Sequence, residues 1–68
     1  MHIVKENLKA FRKLKGITQN EMAYRIGVTR QCYGHYEQGR RQPTIELLRS
    51  ICEVLECSSD ELIGLDEK

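Results

Sequence analysis

Apolar residues recur along this chain every three or four positions, in short runs divided by glycines and by small hydroxyl residues. Val4, Leu8 and Phe11 keep helical spacing, with Leu14 continuing the apolar side, while Lys5, Lys9, Arg12 and Lys13 take polar positions. Gly16 is a natural stop. In "TQNE" Thr18 can cap a second helix and Glu21 can complete a capping box. Met22, Ala23 and Ile26 then face inward, up to a stop at Gly27. Thr29 opens a third helix that runs to Gly39. "RRQP" is a loop, and Thr44 caps a fourth helix with the stripe Leu48, Ile51, Cys52 and Leu55. Ser58 or Ser59 caps a short fifth helix with Leu62 and Ile63 inward. No alternating run suggests a strand. The pattern predicts an all-α, five-helix fold in a single domain over residues 1–68, with a core from about 4 to 64.

The third helix raises a question. Gly34 lies in its middle, where glycine costs about 1 kcal/mol relative to alanine. With residue 30 as zero and roughly 100° per residue, Arg30, Gln31, Gly34, His35 and Gln38 fall between about 0° and about 140°. Cys32, Tyr33 and Tyr36 fall on the other side, between roughly 200° and 300°. The second set is the apolar side. Gly34 therefore sits on the outward face. It serves either a close approach of the helix backbone to a partner or relief of crowding around Tyr33; the polarity of its neighbours favours the first.

Composition sets limits. With 40% hydrophobic and 31% charged residues the chain suits a folded domain better than a disordered tail. No apolar run approaches the roughly 20 residues of a membrane span. "MHIVKENLKAFRK" lacks the apolar stretch of a signal peptide, so a cytoplasmic location is expected. Cys32, Cys52 and Cys57 form no CxxC pair, and with only His2 and His35 beside them buried thiols are expected, not a metal site. The net charge of +1 conceals a division. Residues 1–45 carry nine Lys/Arg against three acids, residues 46–68 two against seven. Such a division allows a polyanion on one side of the molecule.

The second and third helices are joined by a few residues around Gly27, the connection of a helix-turn-helix, whose second helix enters the DNA major groove. Gln19, Ala23, Gly27, Val28 and "YEQG" resemble, in order, the motif of the Cro and phage-repressor (Xre) type of DNA-binding domain. The likeness continues through "PTIELLRSICEVLECSSDELI", with Tyr33 where Ile or Val is usual and Gly34 where Ser is frequent. It implies that Arg30, Gln31, Gly34 and His35 face base edges, His35 being as open to a phosphate contact. It also implies that Gln19, Thr29, Gln38, Arg40, Arg41 and Thr44 meet phosphates, and that Arg12 and Glu37 form a structural ion pair. Arginine suits guanine O6 and N7, and glutamine suits adenine N6 and N7.

Leu47 and Val54 lie beside the fourth helix's core stripe, and Leu65 lies beyond the fifth helix. This leftover apolar strip either covers the edge of the core or forms a dimer seam, which a reading head of this size would need to reach two half-sites. The reading that results is a small DNA-binding transcriptional regulator, expected as a homodimer on double-stranded operator DNA. The alternative is an antitoxin-like module that neutralises a partner protein. No nucleophile–histidine–acid set, metal-ligand spacing or phosphate loop points to an enzyme, and no cofactor, metal or small-molecule ligand is expected.

Overall fold

A computed structural model describes residues 3–64, leaving His2 and Leu65 outside the described part. Five helices follow one another: α1 Lys5–Lys15, α2 Gln19–Ile26, α3 Arg30–Gln38, α4 Ile45–Leu55 and α5 Ser59–Ile63. The described residues contain no strand.

Side-chain caps set most of the helix starts. The hydroxyl oxygens of Thr18, Thr29 and Thr44 accept from the amides of Glu21 (3.1 Å), Cys32 (3.0 Å) and Leu47 (3.2 Å). Each satisfies an N–H that the helix itself cannot. The capping box expected at α2 is only half formed. Glu21 turns instead to Arg25, one helical turn on, with Nε donating at 2.7 Å; opposite charges at this spacing attract. The complete box stands at α5, where Ser58 is the cap: its Oγ accepts from the Glu61 amide, and Glu61 Oε1 accepts from the Ser58 amide. α4 ends without a glycine. Glu56 adopts φ 55° there, the one left-handed non-glycine residue described, and its carboxylate receives Lys15 Nζ at 2.6 Å.

The helices enclose one core. α2 packs most extensively on α3, α1 packs on α3, α4 and α5, and α2 packs on α4. Leu8, Met22, Tyr33, Ile51 and Leu62 are wholly buried at the centre. The rings of Tyr33 and Tyr36 meet edge to face, 6.3 Å between centroids, a favoured aromatic arrangement. The chain before α1 closes against α5 through Val4 N–H donating to Leu62 O at 3.0 Å.

Several sequence expectations need correction. Leu14 is 81% exposed, and Val4, at the cap of α1, is 36% exposed. Ile3 and Arg12 are buried instead. Leu14 lies too far round α1 from Leu8, whereas Arg12 sits almost above it and can enter because a carboxylate waits there. The three thiols are half-buried rather than buried. Burial beside Cys52 pushes the Cys57 thiol up to about 11, away from reactive thiolate character.

The waiting carboxylate belongs to Glu37. Arg12 Nε donates to Glu37 Oε2, and Arg12 Nη2 to Oε1 at 3.2 Å. Gln19 Nε2 donates to Oε1 at 2.9 Å and Tyr33 Oη to Oε2 at 2.6 Å. Arg12 Nη1 also donates to Ile17 O at 2.7 Å, which fixes the start of the α1–α2 turn. Three helices thus meet at one buried anion. Burial alone would raise the Glu37 carboxyl, but the hydrogen bonds from Arg12, Tyr33 and Gln19 outweigh it and hold the group below its ordinary 4.5. Burial and the same carboxylate raise the Tyr33 hydroxyl.

A depressed carboxyl contributes stability that is full above its unfolded-state value and lost as pH falls through its folded-state value. The domain should therefore keep its stability from neutrality down to about pH 4.5 and lose it progressively below. Glu37→Gln leaves a buried guanidinium without its anion, a loss of about 3–5 kcal/mol, large against the roughly 3–10 kcal/mol expected for this size. Denaturant melts of both proteins between neutral and acid pH check this. The variant should be far weaker at neutrality and should lack the wild type's fall below pH 4.5.

Candidate nucleic-acid interface

Gly27 makes the α2–α3 turn. It takes φ +81°, which a side chain would oppose, and its N–H and that of Val28 return to Ala23 O at 2.9 and 3.0 Å. The chain therefore leaves α2 sharply and enters α3 at the Thr29 cap. Tyr33 and Tyr36 anchor α3 inward, with Cys32 half-buried beside them. Burial, and then its hydrogen bond with Cys32 Sγ (3.5 Å), push the Tyr36 hydroxyl up to about 12 against the opposing charge of Arg41.

Apart from the buried Glu37, what remains of α3 faces outward. Arg30, Gln31, Gly34, His35 and Gln38 line a single polar groove of about 350 Å³ with Gln19 and Arg40. Arg30, Gln31 and Gln38 are exposed, while Gly34 and His35 are half-buried. None of the four side chains is tied to the body by a hydrogen bond among the described residues. Gly34 has an ordinary helical backbone, since only other glycines and Glu56 take positive φ. A Cβ placed on it would meet nothing within 4 Å. Apart from its neighbours Tyr33 and His35 and the backbone of α3 itself, nothing crowds the glycine, and the space above it is open.

The residues expected at phosphates fall around this groove in three ways. Gln19 lies inside it but gives one amide hydrogen to Glu37, so it braces the fold as well as bordering the face. Thr29 and Thr44 cap α3 and α4 with their hydroxyl oxygens. Arg40 lies at the groove's end, its N–H donating to His35 O at 2.9 Å, with the Arg41 N–H reaching the same oxygen at 3.4 Å. Arg41 and Thr44 are exposed and lie outside the groove lining. Glu37 is the one acid between Glu21 and Glu46. It is turned inward onto Arg12, leaving the face with cationic and neutral groups alone.

Two residues bordering this edge carry no local sequence signal. Gln42 Oε1 accepts the Ile3 N–H at 2.9 Å. The stem of Lys5 lies over Gly39, with Cδ 3.0 Å from where a Gly39 Cβ would stand. Gly39 also has φ +78°, which opposes a side chain, and any Cβ there would push on the Lys5 stem. Such contacts join distant parts of the chain, and periodicity along a helix cannot reveal them. The expected seam residues Leu47 and Val54 are half-buried and pack against the core; Leu65 falls outside the described residues.

Comparison with known proteins agrees with this geometry. The chain is 45% identical over 58 residues to the HTH-type transcriptional regulator YqaE of Bacillus subtilis, covering 85% of this chain and 50% of that protein. It is 44% identical over 61 residues to the cryptic phage CTXphi transcriptional repressor RstR of Vibrio cholerae, covering 90% of this chain and 54% of the repressor. The chain thus spans about half the length of these relatives. Among solved structures, the P22 c2 repressor in complex with synthetic operator 9T superposes with a TM-score of 0.86 at 27% identity, covering 97% of this chain and 100% of that one. The profile of the helix-turn-helix family matches residues 8–62, which spans the two-helix unit and the helices packed around it, and the chain belongs to that family.

Proposed function

We propose that this chain is a sequence-specific DNA-binding transcriptional regulator that reads the major groove with α3. The observation that carries the reading is the polar, acid-free groove around Gly34 on a helix whose other face is anchored by Tyr33 and Tyr36. In this reading Arg30, Gln31 and His35 address base edges, and the bare backbone at Gly34 lets the helix approach the groove floor. Gln19, Thr29, Gln38, Arg40, Arg41 and Thr44 position the head on phosphates. YqaE, RstR and the P22 c2 repressor, described as regulators and repressors, support this reading, and an antitoxin role is the less supported alternative. Such a regulator would act where the DNA is, in the cytoplasm.

The functional unit in this proposal is a homodimer. A longest dimension of 33 Å suits two copies placed side by side on half-sites about 34 Å apart. The uncovered edges of Leu47 and Val54 would form the seam, with Leu65 beyond.

Selection of bound sequences from random duplexes, followed by titration, tests the reading. Arg30→Ala and Gln31→Ala should each weaken operator binding by about 1–3 kcal/mol and relax preference at separate base pairs. Arg40→Ala and Arg41→Ala should weaken all sequences alike and flatten the salt dependence. Unchanged base preference in both α3 variants would remove the assignment.

Gly34→Ala separates fold from function. The methyl enters open space, so the free protein should gain up to about 1 kcal/mol, a rise in Tm of about 4–8 °C. Specific affinity should fall while binding to random duplex holds. Thermal melts and titrations on one preparation check both halves.

For the seam, Leu47→Lys with Val54→Lys keeps methylenes over the core edge while setting like charges across a two-fold interface. Sedimentation should show a wild-type dimer and a variant monomer with unchanged helical circular dichroism. A wild type monomeric both free and on DNA would exclude the dimer.

A further inference from the structure

On the DNA-binding reading above, we infer that Lys5, in the first turn of α1, is a further phosphate-positioning residue, extending the contact edge from the α3–α4 loop onto α1. Two separate contacts bring α1 to that edge. The Ile3 N–H donates to Gln42 Oε1 at 2.9 Å, pinning the chain before α1 to the residue after Arg41. The Lys5 stem covers Gly39, its Nζ 3.9 Å from where a Gly39 Cβ would stand. The ammonium is thereby held beside the residue that precedes Arg40, and Arg40 itself is fixed at the end of the polar groove by its bond to His35 O.

Charge decides what this edge is for. Lys5, Arg40 and Arg41 are all exposed. The ion pairs among the described residues are Arg12–Glu37, Lys15–Glu56 and Arg25–Glu21, and none neutralises these three cations. The α3 acid that could have done so is turned inward onto Arg12. An aliphatic stem lying on protein with its charged head in solvent is the usual posture of a lysine at a surface. Here the head lies beside Gly39, next in the chain to Arg40 at the end of the polar groove. A duplex lying in the groove would carry its backbone past that rim, and each neutralised phosphate releases counterions. The competing role is structural: an ammonium near the last carbonyls of α3 also suits that helix end electrostatically.

Lys5→Met separates the two roles, because it keeps a stem over Gly39 and removes only the charge. Wild type and variant are titrated at several salt concentrations against a selected operator and a scrambled duplex, alongside thermal melts. The expected result is a several-fold loss of affinity by the same factor on both duplexes. The slope of log K against log salt should be shallower by about 0.9 per bound protomer, with an unchanged Tm and recovery in Lys5→Arg. An unchanged slope overturns the proposal, as does a loss confined to the operator. A lowered Tm with the wild-type slope assigns Lys5 to the helix end. If the wild type binds neither duplex, the DNA-binding reading fails with it; if it binds in an Arg30-dependent way and only the Lys5 result is negative, Lys5 alone is wrong.

Discussion

The buried carboxylate of Glu37 is where α1, α2 and α3 converge, and the orientation of the outward face follows from it. It accepts hydrogen bonds from Arg12, Gln19 and Tyr33, one residue from each helix. A buried ion pair adds little net stability compared with a well-packed apolar substitute, but its bonds are directional. Apolar packing alone would tolerate some rotation of α3, because Cys32, Tyr33 and Tyr36 present a broad apolar side. The bonds to Glu37 and Tyr33 do not. With those two residues fixed inward, Arg30, Gln31, Gly34 and His35 have only the solvent side left. The same carboxylate is the one negative group α3 carries, and drawing it into the interior leaves the face suited to a polyanion.

Local chemistry was the most legible part of this sequence. Thr18, Thr29 and Thr44 bond to amides three residues away, and the glycines after α1, α2, α3 and α5 stop helices by their own backbone preference. The five helices could therefore be placed from the chain alone, and the helical wheel separated the two faces of α3. What failed depended on competition or on distance. Glu21 could complete a cap or pair with Arg25, and pattern does not rank two short-range partners. By spacing alone Arg12 looks like a surface residue and Leu14 like a core one; only the family resemblance, which pairs Arg12 with Glu37, points Arg12 toward α3. For Gly34 the sequence left two explanations open, and the pattern along the chain could not show that the space above it is open to other parts of the fold. The approach of Lys5 to Gly39 was invisible, because nothing in the first turn of α1 announces what the end of α3 will be.

The uneven charge of the chain has a structural counterpart. Glu46, Glu53, Asp60 and Glu61 lie on α4 and α5, while Arg30, Arg40 and Arg41 lie on α3 and the loop after it. A molecule with charge divided in this way has a preferred orientation as it nears a polyanion, before any contact forms. Encounter would then begin with α3 already turned toward the duplex.

The groove side chains of α3 lack bonds to the body, and that has an evolutionary consequence. The side chains of Arg30, Gln31, His35 and Gln38 line the groove and contribute no hydrogen bond among the described residues, and Gly34 leaves room for a side chain. Substitutions at the exposed Arg30, Gln31 and Gln38 are close to neutral for folding, since exposed changes away from packed or bonded groups shift stability by about half a kcal/mol or less. The residues that hold the helix and those that line the groove alternate along one short segment, and on the proposed reading they would answer to different selective pressures. A gene duplicate could exchange its recognition residues one at a time, each intermediate still folded, and so acquire a new target without rebuilding its scaffold.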